Sequence, residues 1–457
     1  MVLALGILFL IVLICAFAAA IVRPWLAFVL IVSFPVIEQT LQSYFPIFIT
    51  YRTLFNYLIA GVVAVTLLIR FLKDPMMLGG ALNPVSKLVI ALQALSFISL
   101  VWTADLANGW TLTVGRLQYA LLFMVMAPLL ISSLEDFKQL RFPLMVLGSL
   151  ALLGIILSPS ASFYGTRLMI HYSSTQQANA LALGELGAIL LLFAVLTTQK
   201  GVGRLVVPFQ IAVGMFGFGM GLLSGARGQV IAGGLISFLF FPVARRIKNS
   251  MGYLGVGFGV GFVVLLLYVS VQFFITSDNI DRWTMQSLTD GVMTRYRIAS
   301  TALAPWMSDP FAWIFGRGAG AFTTTGLVDS YPHNHLIEAL TELGLIGATV
   351  YVLILYFTVR ALIGLFRIYR DDDEMRPAIA LLGSVSAFVF LISLKQGTVH
   401  DPGFVFMWYM VVARVYWYEL KMQEQREDEY DEFEEVDDED AWDEDGHDHE
   451  DENLVNG

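Results

Sequence analysis

Residues 332–359, PHNHLIEALTELGLIGATVYVLILYFTV, begin as polar loop and end as an apolar run. Pro332 cannot sit in a helix interior and Asn334 can cap free backbone N–H groups, so the pair predicts a helix start. The run from 336 to 359 has the roughly 20 residues needed to cross a bilayer. Glu338 and Glu342 stand one turn apart on one face of that helix. A capped helix end at a membrane face offers N–H donors and the positive end of a dipole, which favours a bound phosphate. His333 and His335 stand at that end, and titratable groups at a lipid boundary are costly enough to make function the default reading.

The same apolar character recurs along most of the 457 residues, of which 57% are hydrophobic. The mean hydropathy is +0.70, which excludes an ordinary soluble domain. Runs suited to spans lie near 2–22, 54–72, 85–102, 117–131, 143–158, 179–197, 205–223, 228–243, 251–276, 336–359, 377–394 and 404–420. The run 25–37 is short and reads as a thirteenth span or a re-entrant piece. The expected fold is all-α, a polytopic transmembrane helical bundle of about 12–13 spans. Residues 1–22 lack a preceding basic residue and read as a retained span rather than a signal peptide.

The net charge of −11 hides two unlike parts. Residues 421–457 hold 19 of the 38 Asp and Glu with only Lys421 and Arg426, so this tail carries −17 and the body, 1–420, carries +6. Such a tail cannot bury enough apolar surface to fold and is expected to be disordered, free to meet a basic partner protein. Cys15 is the only cysteine, which excludes an intrachain disulfide.

Basic residues in alternate short loops set the orientation. Arg23, Arg70, Lys73, Lys87, Lys138, Arg141, Lys200, Arg204, Arg245, Arg246, Lys248, Arg367, Arg370 and Arg376 fall on one side, expected to be cytoplasmic. The other side holds nine, eight of them arginine: Arg52, Arg116, Arg167, Arg227, Arg282, Arg295, Arg297, Arg317 and Lys395. Arginine presents a planar fork matched to phosphate. The long loop 277–335 is therefore placed outside and the tail inside.

Four groups of residues on the outer side could carry chemistry. Ser224-Gly225-Ala226-Arg227-Gly228 interrupts two apolar runs and leaves Arg227 at the lipid boundary, where it would meet an anion or a carboxylate of another helix. Arg295 and Arg297, spaced by one residue, could both reach a pyrophosphate. They lead to Asp309-Pro310 and to Gly316-Arg317-Gly318-Ala319-Gly320, a turn too rich in glycine for helix. His171 sits among Tyr164, Arg167, Gln176, Gln177 and Asn179, and His400-Asp401 closes the last outer loop. A resident metal is not expected: His333 and His335 lack a third ligand at convincing spacing, and Asp371-Asp372-Asp373 has ordinary loop composition.

These segments, with Ser99-Leu100-Val101-Trp102-Thr103-Ala104-Asp105, resemble the O-antigen ligase and O-antigen polymerase superfamily of bacterial inner-membrane enzymes. The order carries the resemblance: Ser99–Asp105, Ser224–Gly228, Arg297 through Asp309-Pro310 to Gly316–Phe322, then His333-Asn334 through Glu342–Gly347. It covers about residues 25–420, and the tail has no counterpart. The resemblance implies a GT-C-like, metal-independent inverting glycosyltransferase with no cofactor. It would move a glycan from undecaprenyl pyrophosphate to an acceptor hydroxyl, on an acceptor glycan or glycolipid, at the periplasmic face. On that reading Arg227 and Arg295 or Arg297 hold the pyrophosphate, with Arg317 a further candidate. His333 deprotonates or orients the acceptor, with His335 as rival base. Asn334 fixes the ring, and Glu338 or Glu342 holds His333 or a sugar hydroxyl. No nucleic-acid partner is expected. A lipid-linked oligosaccharide flippase, or a SEDS-type peptidoglycan polymerase acting through Asp290 or Asp329, remains open.

Overall fold

The structure is a computed structural model that describes residues 2–51, 53–164, 167–170, 179–197, 205–247, 251–252, 254–255, 284–327, 331–401 and 403–443. Among the described residues its regular structure is helical apart from one antiparallel hairpin, Ala161–Tyr164 with Arg167–Ile170. In chain order the main helices are α1 (Val2–Val22), α2 (Pro24–Tyr44), α3 (Leu54–Lys73), α4 (Pro84–Ile98), α5 (Leu106–Leu130), α6 (Leu134–Ile156) and α7 (Ala180–Leu196). There follow α8 (Val206–Leu223), α9 (Arg227–Arg245), α10 (Met285–Met307), α11 (Pro310–Phe315), α12 (His335–Ile368), α13 (Arg376–Ser393) and α14 (Phe404–Asp443). Ten of the described helices are long and apolar enough to cross a membrane. The span expected at 251–276 lies almost wholly outside the described residues.

Helix α2 resolves the short run 25–37. It is a helix of 21 residues, long and apolar enough to cross a membrane. Its later turns carry Gln39, Thr40 and Ser43, polar residues beyond the apolar run that are buried against protein rather than lipid. Thr40 Oγ1 donates to Ala151 O at 3.1 Å and Gln39 Nε2 to Asn179 O at 3.4 Å. With α13, α2 forms the middle of the bundle, each 78% buried across its span, against 22% for α1 and α3.

Two local devices position the functional side. Gly187 and Gly217 sit so close that a Cβ on either would fall on the other's carbonyl, which draws α7 against α8. Gly184, one turn away, accepts Ala226 of the turn between α8 and α9. The second device is a break in α12. Gly344 has φ 70°, ψ −167°, a conformation essentially confined to glycine. It divides α12 into a first half, His335–Leu343, and the longer membrane-spanning half.

Within the long loop 277–335, α10 runs 23 residues, with 277–283 and 328–330 outside the described residues. The tail is not without structure from 421, because α14 continues to Asp443. Lys, Gln, Arg, Met and Glu are good helix formers, and a helix already nucleated in the bundle extends without a new nucleation cost. Residues 444–457 lie outside the described residues.

Candidate functional site

The break at Gly344 frees the carbonyls of Thr341 and Glu342, which a continuous helix would have satisfied. The Gly316–Gly320 turn replaces the missing partners. Arg317 N donates to Thr341 O at 3.0 Å and Gly318 N to Glu342 O at 2.9 Å. Gly316, Gly318 and Gly320 all have positive φ and approach backbone too closely to carry a Cβ. The Ser99–Asp105 segment clamps the same turn. Ser99 Oγ accepts from Ala319 N at 2.9 Å, Thr103 Oγ1 donates to Ala319 O at 2.7 Å, and Asp105 accepts from Thr323 Oγ1 at 2.6 Å while capping α5 at Asn108 N. The Asn108 N–H and Thr323 hydroxyl hold the Asp105 carboxyl below the usual carboxylate range.

Under this turn lies a buried polar knot. Glu342 Oε2 accepts from Gly320 N at 2.6 Å, and Oε1 accepts from Phe322 N at 2.9 Å. Glu342 Oε2 also meets His400 Nε2 at 2.7 Å, and His400 Nδ1 meets Ser96 Oγ at 3.0 Å. Ser96 Oγ donates to Leu92 O, so it accepts the Nδ1 proton, and His400 and Glu342 share the other. Burial alone would lower the His400 pKa, but the Glu342 and Glu338 carboxylates outweigh it and raise it. Glu338 accepts from Thr398 Oγ1 at 2.6 Å and Val399 N at 2.7 Å.

Glu338, Glu342 and His400 therefore offer three ligand atoms within 4.8 Å of one another. The donor set does not fit a cation, because peptide N–H groups of Gly320, Phe322 and Val399 already aim at the carboxylate oxygens. The cluster is an internal fastening. This corrects the expectation that Glu338 or Glu342 orients His333: both are buried, and their bonds go to 320–322 and 398–400 instead. His335 also points inward, 2% exposed, with its ring near Tyr351 and Phe406, at centroid distances of 6.2 and 6.1 Å. The rival base is a core residue.

The second polar group surrounds the start of α12. Asn334 caps the helix as expected, its Oδ1 accepting from Leu336 N and Ile337 N at 3.1 Å. Its Nδ2 donates to Leu394 O at 3.1 Å, tying α12 to the loop after α13. Beside it, half-buried His333 is held at φ 57°, in the left-handed region, with the Tyr331 ring 4.4 Å away. Lys395, next along from Leu394, reaches Gln229 Oε1 at 3.5 Å, and Gln229 Nε2 donates to Gln396 Oε1 at 2.6 Å. Gln229 is in the first turn of α9, whose first residue is Arg227 and whose Ala226 supplies no side-chain cap. Arg227 Nη1 donates to Ser287 Oγ of α10 at 3.2 Å.

One corner thus gathers Arg227, Lys395, Gln229, Gln396, Asn334 and His333 from three separate segments. Lys395, Gln229 and Gln396 carried no motif in the sequence, and Lys395 entered only as a topology count. Arg295 and Arg297 are exposed on α10. At about 100° per residue, Arg295 lies about 60° from the packed Ile298 and Arg297 about 100° to the other side. Arg317 takes part through its backbone in the turn that fills the α12 break. Asp290 is exposed; Asp329, His171, Gln176 and Gln177 lie outside the described residues. Asp371 and Asp373 pair with Arg246. Among known proteins, no family model matches this chain and no curated protein matches it.

Proposed function

We propose that the chain is a GT-C-like glycosyltransferase of a bacterial inner membrane. It would move or polymerise a glycan from undecaprenyl pyrophosphate onto an acceptor hydroxyl at the periplasmic face. The observation that supports this most is the convergence of two cations and a strained histidine at one membrane-face corner. A pyrophosphate carries away negative charge as it leaves, and Arg227, Lys395 and the uncapped first N–H groups of α9 offer that charge fixed partners. A non-glycine residue at positive φ costs about 1–3 kcal/mol and persists where the surroundings over-determine it, often at functional sites.

In the reaction, the acceptor oxygen attacks the anomeric carbon and the bond from that carbon to the pyrophosphate oxygen breaks. The electron pair leaves with the pyrophosphate, the hydroxyl proton passes to His333, and the anomeric centre inverts. Arg295 and Arg297, exposed on α10 and projecting to different sides of it, are further candidates to meet the donor's charge. The assignment of ligase against polymerase rests on the acceptor, which the corner does not specify.

The test is transfer from a lipid-pyrophosphate donor by purified variants at equal expression. His333→Ala should lose about 10²- to 10⁴-fold in rate with donor binding retained. Arg227→Lys and Lys395→Ala should weaken donor binding, Arg227→Lys because a point charge replaces a bidentate fork. Wild-type turnover by His333→Ala, or turnover that depends on Asp290 instead, would refute the reading.

A further inference from the structure

At the opposite end of the bundle from His333, the C-terminus of α9 meets the N-terminus of α13 around a cavity of about 390 Å³. Pro242, Val243, Arg246, Ile247, Arg370, Asp371 and Arg376 line it. Ligand sites generally measure about 300–1,000 Å³, so the space suits a small headgroup. Three guanidinium groups face one lining carboxylate. Arg246 is already committed to Asp373 at 2.6 Å and, at 3.7 Å, to Asp371. Arg376 spends one N–H on Val243 O at 2.9 Å and pairs with no carboxylate among the described residues, and neither does Arg370. Two forks with unspent donors thus line one space, an arrangement matched to a phosphodiester.

The wall decides between a free anion and a lipid. Pro242 and Val243 belong to a span, and the neighbouring Phe238 and Leu239 of α9 are 37% and 53% exposed, on a surface that would meet acyl chains. Arg245 adds a cation over the Phe241 ring at the same level. A headgroup in the cavity would leave its chains running along that face. We propose that this cavity is a binding site for the headgroup of an anionic phospholipid, on the membrane face where α14 emerges. The acidic tail leaves on the same face, since Tyr369, beside the cavity loop, bonds to Glu419 of α14. Its charge repels an anionic bilayer and makes it a competitor for the arginines.

The full chain, purified in detergent, is titrated with mixed micelles containing phosphatidylglycerol, phosphatidylcholine or inorganic phosphate alone, and retained lipid is counted by native mass spectrometry. Phosphatidylglycerol should be retained over phosphatidylcholine. Retention should weaken about tenfold in Arg370→Gln and further in Arg370→Gln/Arg376→Gln, the change typical of losing a charge-assisted hydrogen bond. Arg367→Gln, on the same face outside the cavity, should match wild type. Because Arg370 is exposed, its single variant reads the proposal even if the Arg376 change impairs folding. Equal retention by the Arg370 variant and the Arg367 control, or equal retention of phosphatidylcholine, overturns the proposal. Displacement by equimolar inorganic phosphate would make this a small-anion site and also overturn it. Deleting 425–457 should leave retention within about twofold; lipid bound only after that deletion would assign the cavity to the tail.

Discussion

Glu342 gives the sharpest test of the buried knot, because its two oxygens accept from Gly320 N and Phe322 N and meet His400 Nε2. Glu342→Ala strands three buried polar groups. Each unsatisfied group costs about 1–3 kcal/mol, so the variant should lose at least about 3 kcal/mol even after some relaxation. Glu342→Gln keeps the volume and one carbonyl oxygen, but its NH₂ must face either Gly320 N–H or Phe322 N–H. One donor then meets another, at a cost of about one buried hydrogen bond, roughly 1–3 kcal/mol. The pH dependence supplies a second axis. His400 binds its proton more tightly when folded, so its contribution is complete below the unfolded pKa of about 6.5 and is lost as pH rises through the raised folded value. Thermal midpoints in detergent, followed by near-ultraviolet circular dichroism from pH 6 to 9, should fall with pH in wild type and fall less steeply in His400→Gln. The reasoning fails if Ala is no worse than Gln at position 342, or if the slope is unchanged without His400.

Gly344→Ala should cost about 3 kcal/mol or more, from a backbone region other residues avoid and a Cβ that would fall on Ile314 O. Gly219→Ala, helical with nothing within 4 Å of its Cβ position, should be neutral or gain up to about 1 kcal/mol; equal midpoints for the two would sink the account of the break. His333→Gly should raise stability by about 1 kcal/mol by relieving the left-handed φ while removing transfer activity. A destabilised His333→Gly would mean that the ring, not the backbone, holds that corner.

Apolar runs located the ten described helices able to cross a membrane because lipid-facing residues must be apolar, and they misjudged length where polar residues face protein. The run 25–37 stopped at Glu38, whereas α2 continues to Tyr44 with Gln39, Thr40 and Ser43 packed inside. In α14, Arg414 is 2% exposed and donates to Met77 O and Ser132 Oγ, a burial no hydropathy window signals. At the site, the Asn334 cap was legible because capping is local. The partners of Glu338 and Glu342 were not, since Thr398, Val399 and His400 lie about sixty residues away. Gly316–Gly320 was visible as a turn, whereas the break at Gly344 was not, because it lies inside an apolar run read as one helix and only its packing on that turn reveals it.

The first half of α12 grips residues 394–400 at successive turns: Asn334 on Leu394, Glu338 on Thr398 and Val399, Glu342 on His400. His333 and Lys395 therefore ride on one body, and Arg227 on another that reaches it through Gln229. If transfer needs His333 and Lys395 at fixed separation, breaking a single grip should slow turnover without unfolding the helix. Asn334→Ser isolates that effect: serine still caps, and it adds no charge that would repel an anionic donor, but its side chain is too short to reach Leu394 O. Helix stability should stay within about 0.5 kcal/mol of wild type while the rate falls at least tenfold and donor affinity changes little. Asn334→Ala, which loses cap and grip together, should add a stability loss of about 1 kcal/mol. Wild-type turnover in Asn334→Ser would show that the grip does not set the geometry of the reacting corner.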